Sequence, residues 1–230
     1  MLFDLRGRGR RRTVQVIYLS LAILMGGGLV LFGIGGATSG GLIDAIQGNS
    51  STTSGNDAFQ KRVDALEKQT RANPSNARAW AQLAGLHFQL AGSGSNYDQS
   101  TQVYTAKGKA ELRQASNAWQ RHLALAGDKP DTTVANQMVQ AYGISGLRNY
   151  PEAVKALEFV IDATPNATFQ QYAQLAVLAH GAKQDRKATL AADKAVSLAP
   201  KAQRKTLRDQ IKAAQQQLDT ASGATTTSGQ

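Results

Sequence analysis

Three histidines, at positions 87, 122 and 180, are the side chains in this chain best suited to holding a metal or moving a proton near neutral pH. A helical metal site wants two histidines four residues apart, or one clustered with carboxylates, and these three are widely separated. His87 and His122 also occupy slots of an apolar helical period, where packing is the plainer role. Cysteine is absent, which removes disulfides, thiolate zinc sites, iron–sulfur clusters and thiol nucleophiles. No Gly-x-Ser-x-Gly elbow and no phosphate-binding Gly-Lys-Ser/Thr loop occurs. Gly7 and Gly9 lie in a run of arginines rather than between a strand and a helix, so they are not a nucleotide fingerprint. No cofactor and no metal is expected, and the chain reads as something other than an enzyme.

Charge is the next candidate. The 230 residues carry a formal net charge of +10. Five of the 26 lysines and arginines (Arg6, Arg8, Arg10, Arg11 and Arg12) precede residue 13, leaving 21 against 15 acidic residues, a net +6. Lys201, Lys205, Arg208 and Lys212 share one face of a helical period. Two readings of this basic strip stand. It is a surface for anionic lipid, cell-wall polymer or an acidic partner, or it is the solvated face of an end helix.

The elements that would carry these residues differ sharply in composition. Residues 1–13 form a basic leader. Val14 to Ile34 carries no charge and is long enough to cross the roughly 30 Å hydrocarbon core as a helix. With its arginine flank it predicts a single transmembrane anchor over 14–36, the N-terminus cytoplasmic and the rest outside the cell or inner membrane. A cleaved signal peptide is the rival, although the apolar run exceeds the usual 7–15 residues or so. Residues 37–56 have the Gly, Ser and Thr composition of a flexible linker, and 219–230 that of a disordered tail. Lipid is thus an expected partner through 14–36. Nucleic acid is not expected for a domain outside the cell.

Residues 57–218 show helical periodicity and little strand alternation. Aligning the prolines exposes a repeat. Tyr172, Leu175, Ala176 and Ala179 are followed by Ala188, Ala192, Ala195 and the stop at Pro200. Ala153, Leu157, Val160 and Pro165 occupy the second half of the preceding unit. Its first half needs Ala135, Met138, Val139 and Tyr142, then a turn two residues longer than usual. Trp80, Leu83, Ala84 and His87 open an earlier unit, whose second helix resumes near Lys109 with Ala115, Trp119 and His122. Between them, 91–108 is a polar, Gly/Ser-rich insertion. Phe59, Val63, Leu66 and Thr70 mark one flanking helix, and Leu207, Ile211, Ala214 and Leu218 another. The small slots let antiparallel helices approach closely, and the prolines end them.

These residues, at a period of about 34, resemble the tetratricopeptide-repeat family, and the whole layout resembles bacterial membrane-anchored members of it. The fold expected is all-α: one N-terminal transmembrane helix, then a short α-solenoid of about three tetratricopeptide-like helix pairs with flanking helices. The resemblance implies a membrane-tethered scaffold that binds a protein or peptide partner in a concave groove. Mapped by slot, that groove takes in Arg78, Ala81, Gly85, Phe88, Gln89, Thr133, Asn136, Gln140, Gln170, Ala173, Val177 and His180. Alternatives are an accessory or chaperone-like factor of protein export, and a self-associating envelope protein.

Overall fold

Capping side chains and prolines set many of the helix boundaries. The computed structural model describes residues 52–127 and 129–223, with the side chains of 59–127 and 129–220. Helix α1 spans Thr52–Ala72 and ends before Asn73-Pro74, where proline cannot continue the ladder. The Asn76 side chain then accepts from the Ala79 amide and caps α2, Ala77–Ala91. Thr105 caps α3, Ala106–Ala126, and Asp131 caps α4, Thr132–Tyr142. Helix α5, Tyr150–Asp162, carries Pro151 in its first turn, where the missing amide costs nothing. Thr168 and Gln171 form a reciprocal capping box on α6, Phe169–Gly181. Helix α7, Asp185–Leu198, stops ahead of Pro200, and a 3₁₀ turn at Lys201–Gln203 leads into α8, Arg204–Gly223.

The helices pack as hairpins α2/α3, α4/α5 and α6/α7, with α1 against α2 and α8 against both α6 and α7. Consecutive hairpins join through α2 with α4, α3 with α4, and α5 with α6. Close approach depends on alanine. Ala84, Ala115, Ala135, Ala153, Ala176 and Ala195, one in each of α2 to α7, are completely buried. Around them lie the large buried side chains Trp119, Tyr142, Leu112, Met138 and Leu157. Polar bonds tie the second helices together: Gln120 donates to Glu152 at 2.9 Å, and the Lys187 ammonium reaches Glu158 at 2.6 Å.

Both helix-slot histidines are interior links. The His87 ring donates from Nδ1 to Glu111 across α2 and α3 at 2.8 Å. His122 donates from Nδ1 to the Ala77 carbonyl at 2.9 Å and accepts the Asp131 amide at Nε2, also at 2.9 Å. That pair of bonds requires the neutral Nδ1–H tautomer.

The connection between α2 and α3 folds back on itself. Strands β1, Tyr97–Asp98, and β2, Val103–Tyr104, pair antiparallel, with Tyr97 opposite Tyr104 and their rings edge to face at 5.0 Å. Asn96 anchors this hairpin: its amide donates to the Leu90 carbonyl, and its own carbonyl receives the Thr105 amide. Gly108 is required beneath it, since a Cβ there would stand 2.1 Å from the Asn96 carbonyl oxygen. At the hairpin tip Asp98 accepts from the Ser100 hydroxyl and amide and from the Thr101 amide. The Ser100 hydroxyl bond first, and then the others, hold its carboxyl down at about 2 against an ordinary 3.8.

One part of the expected fold is corrected. Among the described residues no helix is long and apolar enough to cross a membrane. The longest ones, α1, α3 and α8, carry charged side chains on their outer faces. The Val14–Ile34 run, the leader and most of the 37–56 linker lie outside the described residues. The helical reading of the fold stands among the described residues, with one short strand pair, β1–β2, inside the 91–108 insertion. Boundaries shift as well. Helix α1 begins at Thr52, inside the stretch read as linker, although Ser, Gly and Asn there are poor helix formers. Helix α8 continues to Gly223, past the expected start of the tail at 219, and 224–230 lie outside the described residues.

Candidate functional site

Helices α7 and α8 leave a furrow between them. Alanines at 188 and 192, four residues apart on α7, cut away volume that larger side chains would fill. With Val196 and Ile211 they make an apolar floor, and the furrow encloses about 430 Å³. Asp185, Thr189 and Asp193 form one wall, again at a spacing of four. Arg208, Lys212 and Gln215 form the other, and His180 closes one end.

Both ends are fastened. At one, the Arg204 guanidinium donates to the Ala199 carbonyl at 3.1 Å and the Ser197 carbonyl at 3.0 Å, tying the start of α8 to the end of α7. At the other, His180 Nε2 lies 3.0 and 3.1 Å from the two Asp219 carboxylate oxygens, and Gln215 donates to the Ala176 carbonyl at 3.4 Å. Lys183 adds a longer contact to Asp219 at 3.7 Å. Helix α8 is thus tied directly to the end of α7 on one side of the furrow and to α6, the hairpin partner of α7, on the other.

The charges on the walls remain unspent. Among the described residues neither Asp185 nor Asp193 pairs with a cation, and neither Arg208 nor Lys212 pairs with a carboxylate. A furrow with an apolar floor and free charges of opposite sign on its two walls can hold an extended chain. It would bury an apolar side chain on the floor and pair flanking charges at the rims.

The basic strip read from the sequence is divided by the structure. Arg208 and Lys212 enter the furrow wall, Lys205 pairs with Asp209 at 2.9 Å along the exposed face of α8, and Lys201 sits in the preceding 3₁₀ turn. The groove residues are spread along three first helices. Arg78 and Gln89 are exposed on α2, and Phe88 packs partly against the core. Asn136 is exposed and Gln140 half-buried on α4, while Gln170 is exposed at the start of α6. No side-chain hydrogen bond or ion pair among the described residues joins any of these, or His180, to another. Ala81 and Gly85 are buried instead of lining a groove. Gly85 faces α4, where an added Cβ would come within 3.1 Å of the Gln137 side-chain oxygen.

His180 is the meeting point: the groove set and the basic strip share the furrow through it, Arg208 and Lys212. The opposite wall, Asp185, Thr189 and Asp193, went unread. Its signal was present as a polar stripe at i, i+4, i+8 beside the alanine stripe 188 and 192. A second hollow, of about 600 Å³, lies on another face of α7. Tyr172, Leu175 and Ala191 line it, with Leu190 60% exposed. Among the described residues no group of three His, Asp or Glu side chains is placed to hold a metal ion.

Compared with known proteins, the chain matches no protein-family model and no curated protein.

Proposed function

We propose that this chain is a protein-interaction scaffold of the tetratricopeptide-repeat type, and that the α7–α8 furrow holds an extended peptide segment of its partner. One observation carries the reading: acidic and basic walls, unpaired among the described residues, stand over an apolar floor between helices fastened by Arg204 and by His180–Asp219. Preorganised walls lower the ordering cost of binding a flexible segment. The segment that fits has an aliphatic residue for the floor, basic residues toward Asp185 and Asp193, and acidic residues toward Arg208 and Lys212. Each exposed charge pair supplies only about 0.2–1 kcal/mol, so the floor sets affinity and the charges set direction. Hairpin repeats resembling this family use helix faces for such docking, which agrees with the stacking of α2 to α7.

The test is selection of peptides from a random displayed library against the full chain, followed by affinity measurements on Ala192→Trp and Lys212→Glu variants. Selected peptides should weaken by tenfold or more with Ala192→Trp. Binding that ignores both substitutions would place the peptide elsewhere and end this reading of the furrow.

A further inference from the structure

Another cleft, built from elements that take no part in the furrow, has a different chemistry. Helix α3 and the turn between α4 and α5 enclose about 640 Å³. Lys109 and Arg113 stand one turn apart on α3, and Arg148 comes from the turn opposite. Asn117 and Asn149 also line the space. No carboxylate lines it, and among the described residues none of the three cations forms an ion pair.

Arg148 is placed there at a cost. Its backbone sits at φ 54°, in the left-handed region that a non-glycine residue seldom adopts. The turn that imposes this is closed by the Leu147 amide on the Ala141 carbonyl and the Arg148 amide on the Gly143 carbonyl. Its floor needs Gly146, where a Cβ would lie 2.1 Å from the Ala141 carbonyl oxygen. The two extra turn residues visible in the sequence thus serve to carry a guanidinium across to α3. Its Nε bonds back to the Ile144 carbonyl at 3.2 Å, and among the described residues its terminal nitrogens take no partner.

We propose that this cleft binds a soluble oligoanion of the phosphoryl class, such as pyrophosphate or a short polyphosphate. Three cations brought together without a counter-charge repel one another, and a multiply charged ligand relieves all three at once. The two guanidinium forks match phosphoryl oxygens in pairs, and the two amides add neutral donors. A carboxylate offers one charge where the cleft has three. A membrane surface is flat, whereas these groups converge on a concave space.

The test uses inorganic pyrophosphate and the full 230-residue chain, by isothermal titration at constant ionic strength set with chloride. Saturable one-to-one binding is expected. Arg113→Gln and Arg148→Asn should each weaken it about tenfold, the scale of one charge-assisted hydrogen bond. Asparagine is chosen at 148 because it tolerates the left-handed backbone. Lys212→Gln, in the furrow, should leave the affinity unchanged, and circular dichroism should show all three variants folded. The proposal is overturned if no saturable heat appears up to about 10 mM pyrophosphate, a range that captures even weak binding. It is equally overturned if Lys212→Gln lowers affinity as much as Arg113→Gln, which would mean diffuse attraction to a basic protein.

Discussion

Replacing His122 by alanine should be the most informative single disruption of the array. The ring is 4% exposed and holds three elements at once. It donates to the Ala77 carbonyl at the start of α2, accepts the Asp131 amide at the cap of α4, and stacks on Trp119 with centroids 5.2 Å apart. Truncation leaves two backbone groups without partners. Each costs about 1–3 kcal/mol if it stays dry. Loss of the ring contact with Trp119 adds about 0.5–1 kcal/mol. Asp131 itself is exposed, so water can repair its amide, and the lower end of the range applies there. The total comes to about 3 kcal/mol. For a domain of this size that lowers the melting temperature by about 6–12 °C. Equilibrium urea unfolding of the full chain, followed by circular dichroism, reads the loss directly. Asparagine, whose amide can reach the Ala77 carbonyl but not the Asp131 amide, should recover part of it. If His122→Ala unfolds within about 0.5 kcal/mol of wild type, the three-way link is not holding the repeats and the reasoning is refuted.

Two further outcomes follow from close contacts. At Gly181 an added Cβ would lie 2.9 Å from Tyr150 Cγ and 3.1 Å from both Cδ atoms. Gly181→Ala should therefore destabilise by about 1–2 kcal/mol, because overpacking of about 1–3 kcal/mol outweighs a helix-propensity gain of under about 1 kcal/mol at a last helical residue. The penalty should disappear in a Tyr150→Ala background, and a more stable Gly181→Ala single variant would contradict it. For Asp98, carboxyl NMR should show titration near 2, rising toward 3.8 in Ser100→Ala. Its folded value is depressed, so the stability it lends the hairpin is present above 3.8 and fades as the pH falls through about 2; a normal midpoint in the wild-type chain would refute the bonding at the hairpin tip.

Regular spacing was what the sequence made readable. The alanines at 176, 188 and 195, with Pro200, are local to one hairpin, and their period maps onto α6 and α7 directly. The prolines at 74 and 200 mark ends because their effect is confined to the residue itself. By contrast, the hairpin over 97–104 rests on Asn96 reaching the Leu90 carbonyl and on Gly108 admitting the Asn96 carbonyl. Those are contacts across a Gly/Ser-rich stretch with no period to read. Gly85 and Ala81 face outward by slot, yet both are buried, Gly85 against α4, since α2 packs on α1, α3 and α4. The furrow was hidden for a similar reason. Its floor and walls come from two helices, and only their packing sets Asp193 across from Arg208 and Lys212.

The central claim is that the α7–α8 furrow is a peptide-docking site, and site-specific photo-crosslinking tests it most directly. A photoreactive phenylalanine at Thr189, on the wall, and another at Arg62, on the exposed side of α1, would be presented to the same library-selected peptide. Crosslinking is expected from position 189 and not from position 62, with the position-189 adduct suppressed by excess unlabelled peptide. Equal labelling from both positions, or labelling from 62 alone, would contradict it.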